Sequence, residues 1–289
     1  MSGLTSPYTC LYRPLLAADL TESELTLIGR SLAEQRALRK GLRLEALDAE
    51  ASCWTALCTG FRKAGLLVLK FEHFGNWHEN VTGQNWSGYL AARPGALRET
   101  LRRRSAKLLA DPAIGVEVLT QACEVGPGIE AFEAIYRRSW KQPEPYPDFN
   151  AACIRMAAQQ GVLRLAVLRR DDEPIAVQLW VVLAGKAQVL KLAHDEAHRA
   201  NSPGTVLTGW LMSKLFESGP LSEIDFGRGD DAYKKAWASQ RRARFGMVLA
   251  NPMTSRGLLQ STRHAAGLAR RKMQKIRQDI NAMARSDGG

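Results

Sequence analysis

Two polar groupings in the second half of the chain carry residue types suited to handling charge and protons. The first is Ser202-Pro203-Gly204. It lies between the apolar run Val189 to Ala193, read as a buried strand, and a segment from Thr205 to Phe216. In that segment Val206, Leu207, Trp210, Leu211 and Leu215 recur at spacings of three and four, which predicts an amphipathic helix. A strand that ends in a small-residue turn and opens a helix leaves backbone N–H groups aimed at one point with the helix dipole behind them, a site for an anion. The second grouping, GRGDDAYKKAW from Gly227 to Trp237, follows the short strand Ser222 to Phe226. It sets Asp230, Asp231, Tyr233 and Lys234 close to Trp237, with Asp225 at the strand end. Charges this dense suit a solvated loop, but aromatic residues interleaved with them favour a lined pocket.

The elements that must position these groups form a strand, helix, strand unit. A right-handed crossover makes the two strands parallel, so both groupings emerge at the same strand-end edge. Before it, Val162 to Arg169, Ile175 to Leu183 (which carries Gln178) and Gln188 to Ala193 read as three strands. The loops RDDEP and AGK joining them are short enough to demand antiparallel neighbours. His194 and Asp195 end the third strand and alternate across it, so only one of them faces the cleft.

Upstream, Glu22 to Arg39 and Ser52 to Ala64 read as helices, and Tyr8 to Ala17, Gly41 to Leu47, Leu66 to Phe74 and Gly115 to Leu119 as strands. GNWHENVTGQNW, Gly75 to Trp86, reads as a loop whose amide and aromatic side chains suit a polar ligand. Two helices punctuated by Arg93-Pro94-Gly95 follow it. Gly126-Pro127-Gly128 breaks the pattern, and the alternation of helix and strand starts afresh after it, predicting one domain over 1–125 and a second over 126–289. After Arg244 to Ala250, a last strand, a basic helix is expected beyond Pro252.

Forty-five percent hydrophobic residues in 289 suffice for packed cores. The net charge of +11 comes largely from Leu97 to Leu109 and from the tail Arg256 to Arg285. Both carry apolar residues at helical spacing, which favours solvated helix faces over a nucleic-acid or membrane surface. Cys10, Cys53, Cys58, Cys123 and Cys153 form no metal-ligand or disulfide spacing and read as buried thiols, so no metal is expected. There is neither a signal-peptide pattern nor an apolar run of eighteen, and a soluble cytoplasmic protein without a transmembrane segment is the expectation.

The meander, turn, helix and parallel strand together resemble the acyl-CoA-binding core of the GNAT acyltransferase superfamily. That family's turn, Arg or Gln, two residues, Gly, one residue, Gly or Ala, is matched here at Arg199 and Gly204 and departs at Ser202. SPGTVL with DFGRGDDAYKKAW resembles the CelD-like (cellulose-biosynthesis type) branch, relatives of the FemAB aminoacyl transferases, over about residues 126 to 250. NWSGYLAARPGALRETLRRRSAKL resembles that branch's tryptophan, helix and arginine-run segment.

The resemblance implies an α/β (α+β) chain of two tandem GNAT-like folds, each a mixed, mainly antiparallel sheet flanked by helices, with the second half catalytic. It implies acetyl-CoA or another acyl-CoA as donor, held by Arg199, Ser202, Gly204 and Thr205. The acceptor would be a small molecule or saccharide, with Gln178, Asp230, Asp231 and Trp237 as candidate contacts. Acyl transfer needs a base for the acceptor proton and an acid for the leaving thiolate. Asp195 is the first candidate base and His194 the alternative. Tyr233 is the candidate acid, Lys234 steadies a phosphate or oxyanion, and Asp225 holds the loop. Aminoacyl transfer from tRNA and a non-catalytic basic binding module are the rival readings.

Overall fold

The computed structural model describes residues 3–17, 20–35, 38, 41–267, 270 and 273. In chain order come α1 (Glu22–Glu34), β1 (Leu42–Asp48), α2 (Cys53–Lys63), β2 (Leu67–Asn80), α3 (Trp86–Ala91) and α4 (Gly95–Leu109). Next are β3 (Ile114–Leu119), α5 (Val125–Arg138), α6 (Phe149–Gln159), β4 (Leu163–Arg170), β5 (Glu173–Leu183) and β6 (Lys186–His194). A 3-10 turn (Glu196–Asn201) leads to α7 (Pro203–Ser218), β7 (Glu223–Arg228), α8 (Ala232–Trp237) and β8 (Gln240–Ala250). The chain divides into two compact units, one of residues up to Gly75 with those from Ala243 on, the other Asn76–Arg242.

In the first unit β1 pairs antiparallel with β8, Leu42 opposite Leu249 and Asp48 opposite Arg244. Leu25, Trp54, Leu57, Phe61, Met247 and Leu249 close its core. Helix α1 starts at a reciprocal cap, Thr21 bonding the Glu24 N–H and Glu24 bonding the Thr21 N–H. Its expected continuation to Arg39 falls partly on residues 36, 37 and 39, outside the described residues. The strand expected over Tyr8 to Ala17 is reduced to a single bridge, Tyr12 with Leu47. The expected basic helix is described over 255–267, and the remainder of the tail to Arg285, apart from 270 and 273, lies outside the described residues.

In the second unit the strands run β2-β7-β6-β5-β4-β3, antiparallel except for the parallel pair β6–β7. This is a mixed, mostly antiparallel sheet flanked by helices. Alternation along β4 and β5 feeds both faces. Leu163, Leu165, Val167, Val177 and Leu179 pack under α5 and α6, whereas Ala166, Leu168, Ala176 and Trp180 meet the side chains of α4 and α7. The turns between β4 and β5 and between β5 and β6 place both central residues at positive φ (Asp171 and Asp172, Ala184 and Gly185), matching the twist of a tight hairpin.

Other parts of the chain also depart from the sequence reading. The loop expected from Gly75 is strand as far as Asn80, because buried partners claim its polar side chains: the Asn76 amide donates to Asp225 Oδ1 (2.6 Å) and the Gly227 carbonyl (2.9 Å). Gly126-Pro127-Gly128 forms the first turn of α5, and residues on both sides of it belong to one compact unit. Of the thiols expected to be buried, Cys58 is, while Cys123 is exposed.

Candidate active site

The β6–β7 pair is short. It spans Lys186 to Gln188 against Glu223 to Asp225, after which the strands part. A register shift between Leu179 and Trp180 in the β5–β6 ladder leaves Leu190 as an extra residue in β6, and such a bulge bends its strand. The mouth of α7 follows the parting strand. Ser202 sits in the left-handed region (φ 53°) and Pro203 opens the helix, so the N–H groups of Gly204 and Thr205 are those without an intrahelical acceptor. Gly204 is a close-approach position: a Cβ there would lie 3.2 Å from His194 Nδ1.

His194 and Asp195 separate as alternation requires. Asp195 accepts from the Ala197 N–H (2.9 Å) and lies 3.4 Å from the Arg138 guanidinium, so both carboxylate oxygens have partners. The His194 ring stands against Gly204, with its Nε2 buried, 3.7 Å from Glu196 and without a hydrogen bond. Burial holds its pKa below the ordinary value, and Arg199 and Lys141 act in the same direction against Glu196 and Asp195. The imidazole at the mouth is therefore biased to the neutral form. Arg199 itself is exposed, 3.8 Å from Glu196.

Behind the mouth a buried polar chain links β5, α7 and α8. Gln178, wholly buried, donates to the Gly204 carbonyl (2.9 Å) and to Thr208 Oγ1 (2.6 Å), and accepts from the Trp180 indole (2.8 Å). Thr208 Oγ1 lies 2.6 Å from the Tyr233 hydroxyl. Burial raises the Tyr233 pKa far above its ordinary value, so the phenol keeps its proton. Gln178 is thus a brace of the helix start rather than an open acceptor contact.

Asp231 caps α8 by accepting from the Lys234 N–H (3.1 Å). Lys234 Nζ donates to the Arg228 carbonyl and lies 3.6 Å from Asp231 Oδ2. Gly229 permits this closure, because its φ of +113° and a Cβ only 3.0 Å from Lys234 Nζ would both oppose a larger residue. Asp225 is held by Asn76, the Gly227 N–H (2.7 Å) and Arg242 (2.8 Å). Asp230 binds the Trp77 indole (2.7 Å) and Arg241, whose guanidinium keeps its carboxyl below the usual range. Trp237 is buried, its ring 6.2 Å from Tyr233, and its carbonyl accepts from Tyr89 and Arg93. Arg93 in turn grips Glu79 with two bonds of 2.6 and 3.1 Å, and Glu79 takes the Ser239 N–H, so α8 is clamped at its end. On that flank Trp77, Arg93, Pro94 and Lys235 line a cavity of about 370 Å³.

Residues 95–235 match the family model described as an acetyltransferase (GNAT) domain. The match runs from the first residue of α4 into α8 and so contains the mouth of α7, His194, Tyr233 and Lys234. The fold of this GNAT-type domain is GNAT-like. Among solved structures, FemX aligns with 80% of this chain and 79% of its own, at a TM-score of 0.53 and 11% identity. The C-terminal DUF2156 domain of an Agrobacterium fabrum protein named for lysylphosphatidylglycerol synthetase aligns with 76% of this chain and 71% of its own, at 0.50 and 15%. Both are likenesses of fold. No curated protein matches the sequence.

The structure thus gathers His194, Gly204, Gln178 and Tyr233 around the first turns of α7, with Lys234 on the same short helix as Tyr233. It assigns Asp195, Asp225 and Asp230 to ion pairs. Two residues missed from sequence join the site. Thr208 was findable, one helical turn after Gly204 on the same face. Trp140, whose ring lies 4.5 Å from His194, was not, because it stands in no motif.

Proposed function

We propose that this chain transfers the acyl group of acetyl-CoA or a longer acyl-CoA to the amine or hydroxyl of a small acceptor, an amino sugar or a polysaccharide precursor. The observation that carries the reading is the parting of β6 from β7 beside an open helix start, within a domain that matches the acetyltransferase (GNAT) model. The donor pyrophosphate fits the Gly204 and Thr205 N–H groups, where the helix dipole favours an anion and no Cβ intervenes. The thioester then lies along the gap between the strands. The acceptor attacks its carbonyl, a new C–N or C–O bond forms, the C–S bond breaks, and the acceptor proton passes to a base. His194 suits that role better than Asp195, since it is kept neutral at the mouth while the carboxylate is occupied by Ala197 and Arg138. Tyr233 returns a proton to the departing thiolate, and Lys234 steadies the developing oxyanion. The CelD-like features SPGTVL and DFGRGDDAYKKAW lean the acceptor toward a saccharide.

Calorimetry on the full chain with CoA, acetyl-CoA and charged tRNA at two salt concentrations tests this. Binding of the CoA ester is expected, changing modestly with salt. Binding confined to tRNA and falling steeply with salt would overturn it in favour of aminoacyl transfer.

A further inference from the structure

The two nitrogens of the partly buried His194 ring meet different surroundings. The ring packs between Trp140, with centroids 4.5 Å apart, and the start of α7, where Nδ1 is the nitrogen that stands against Gly204. On the other side Nε2 is buried without a hydrogen bond, which costs free energy until a partner comes within reach. Glu196, the first residue of the 3-10 turn, places its Oε1 3.7 Å from Nε2. Arg199 lies 3.8 Å from the other oxygen, Oε2, so Oε1 is left for the imidazole. Asp195 is no substitute, because its carboxylate accepts from the Ala197 N–H and faces the Arg138 guanidinium. The Glu196 side chain is exposed and able to turn, and a shortening to about 3 Å completes the bond. Hydrogen bonds of this kind are often long until substrate binds. Burial lowers the His194 pKa, and of the neighbouring charges Glu196 opposes it most strongly, followed by Asp195, while Arg199 and Lys141 act with burial.

We infer that Glu196 is the positioning residue of His194: its carboxylate holds the imidazole proton on Nε2, so that the Nδ1 lone pair faces the mouth of α7. A neutral imidazole carries one proton, and the group facing one nitrogen decides which of the two is left as the acceptor. When Nδ1 takes the acceptor proton, the ring becomes imidazolium and its new charge is offset by the carboxylate already facing Nε2. The use of this arrangement in acyl transfer rests on the function proposed above; the arrangement itself does not.

Nitrogen-15 NMR of the full chain tests this without any substrate, with the His194 signals assigned among those of the five histidines by their loss in His194→Gln. Wild type should carry the proton on Nε2. In Glu196→Ala the tautomers should mix and His194 should titrate at lower pH, because the imidazolium loses its counter-charge. Glu196→Gln keeps an acceptor oxygen but no charge, so it should restore the Nε2 proton and leave the titration shifted. A proton on Nδ1 in wild type would overturn the inference, as would a His194 titration unmoved by Glu196→Ala. In turnover, read as release of free CoA thiol, Glu196→Ala should cost about tenfold or more, move the acid limb of the pH profile to lower pH and leave acyl-CoA affinity unchanged; Glu196→Gln should recover part of the rate. The expected NMR behaviour in a protein that neither binds CoA nor releases its thiol would support the pairing and sink the acyl-CoA reading alone.

Discussion

The Thr208 hydroxyl and the Tyr233 hydroxyl lie 2.6 Å apart, and the same Thr208 oxygen accepts the Gln178 amide. Thr208 has one proton to give. If it goes to the Gly204 carbonyl at 2.9 Å, Tyr233 must donate to Thr208; if it goes to Tyr233, the phenol proton is free for a leaving group. Tyr233→Phe should therefore lower turnover by about 10² to 10⁴, with acyl-CoA affinity retained. Thr208→Val should lower turnover by a smaller factor. Release of free CoA thiol measures both, and a wild-type rate from Tyr233→Phe would remove the phenol from the proton path.

Gly204→Val would set a branched side chain where a Cβ alone comes 3.2 Å from His194 Nδ1, at the opening the donor pyrophosphate must approach. Acyl-CoA affinity should fall at least about tenfold, roughly 1.4 kcal/mol, with the fold intact by circular dichroism. Unchanged affinity in calorimetry would mean that the donor binds elsewhere.

Glu223 is partly buried, which by itself would raise its pKa, but hydrogen bonds from Arg242 and Lys186 outweigh burial and hold it at about 2. A carboxyl whose folded pKa lies below its ordinary value of 4.5 contributes stability above that value and loses it as pH falls toward 2. Arg242→Met should therefore flatten the decline of melting temperature over that window. A slope equal to wild type would show that the Arg242–Glu223 pair contributes nothing there.

A Cβ at Gly128 would lie 2.4 Å from Leu119 Cδ1 and 2.8 Å from Leu165 Cδ2. Gly128→Val should cost roughly 1–3 kcal/mol in denaturant unfolding through overpacking. The same packing predicts that limited proteolysis spares 126–128. Cleavage there into two stable pieces would instead restore a domain boundary after residue 125.

Much of the scaffold was legible because its causes are local. The hairpins joining β4, β5 and β6 follow from loops too short for any other connection, and α7 follows from apolar spacing between Val206 and Leu215. The parallel β7 follows from crossover handedness. Gly75 to Asn80 was illegible for the opposite reason: Asn, Gly and His suggest a loop, and only the distant partners Asp225 and Gly227 make the segment extended.

By itself the sequence determined where the strands and helices of the GNAT-type core lie and that an anion-ready helix start is followed by a polar, aromatic cluster. Tertiary structure alone decided that His194 rather than Asp195 meets Gly204, that Gln178 braces α7, and that Tyr233 reaches Thr208. Periodicity and turn sterics act between near neighbours and leave their mark in spacing. The meeting of residues tens of positions apart depends on register, on the bulge at Leu179 and Trp180, and on the angle at which β6 leaves β7, which no local pattern encodes.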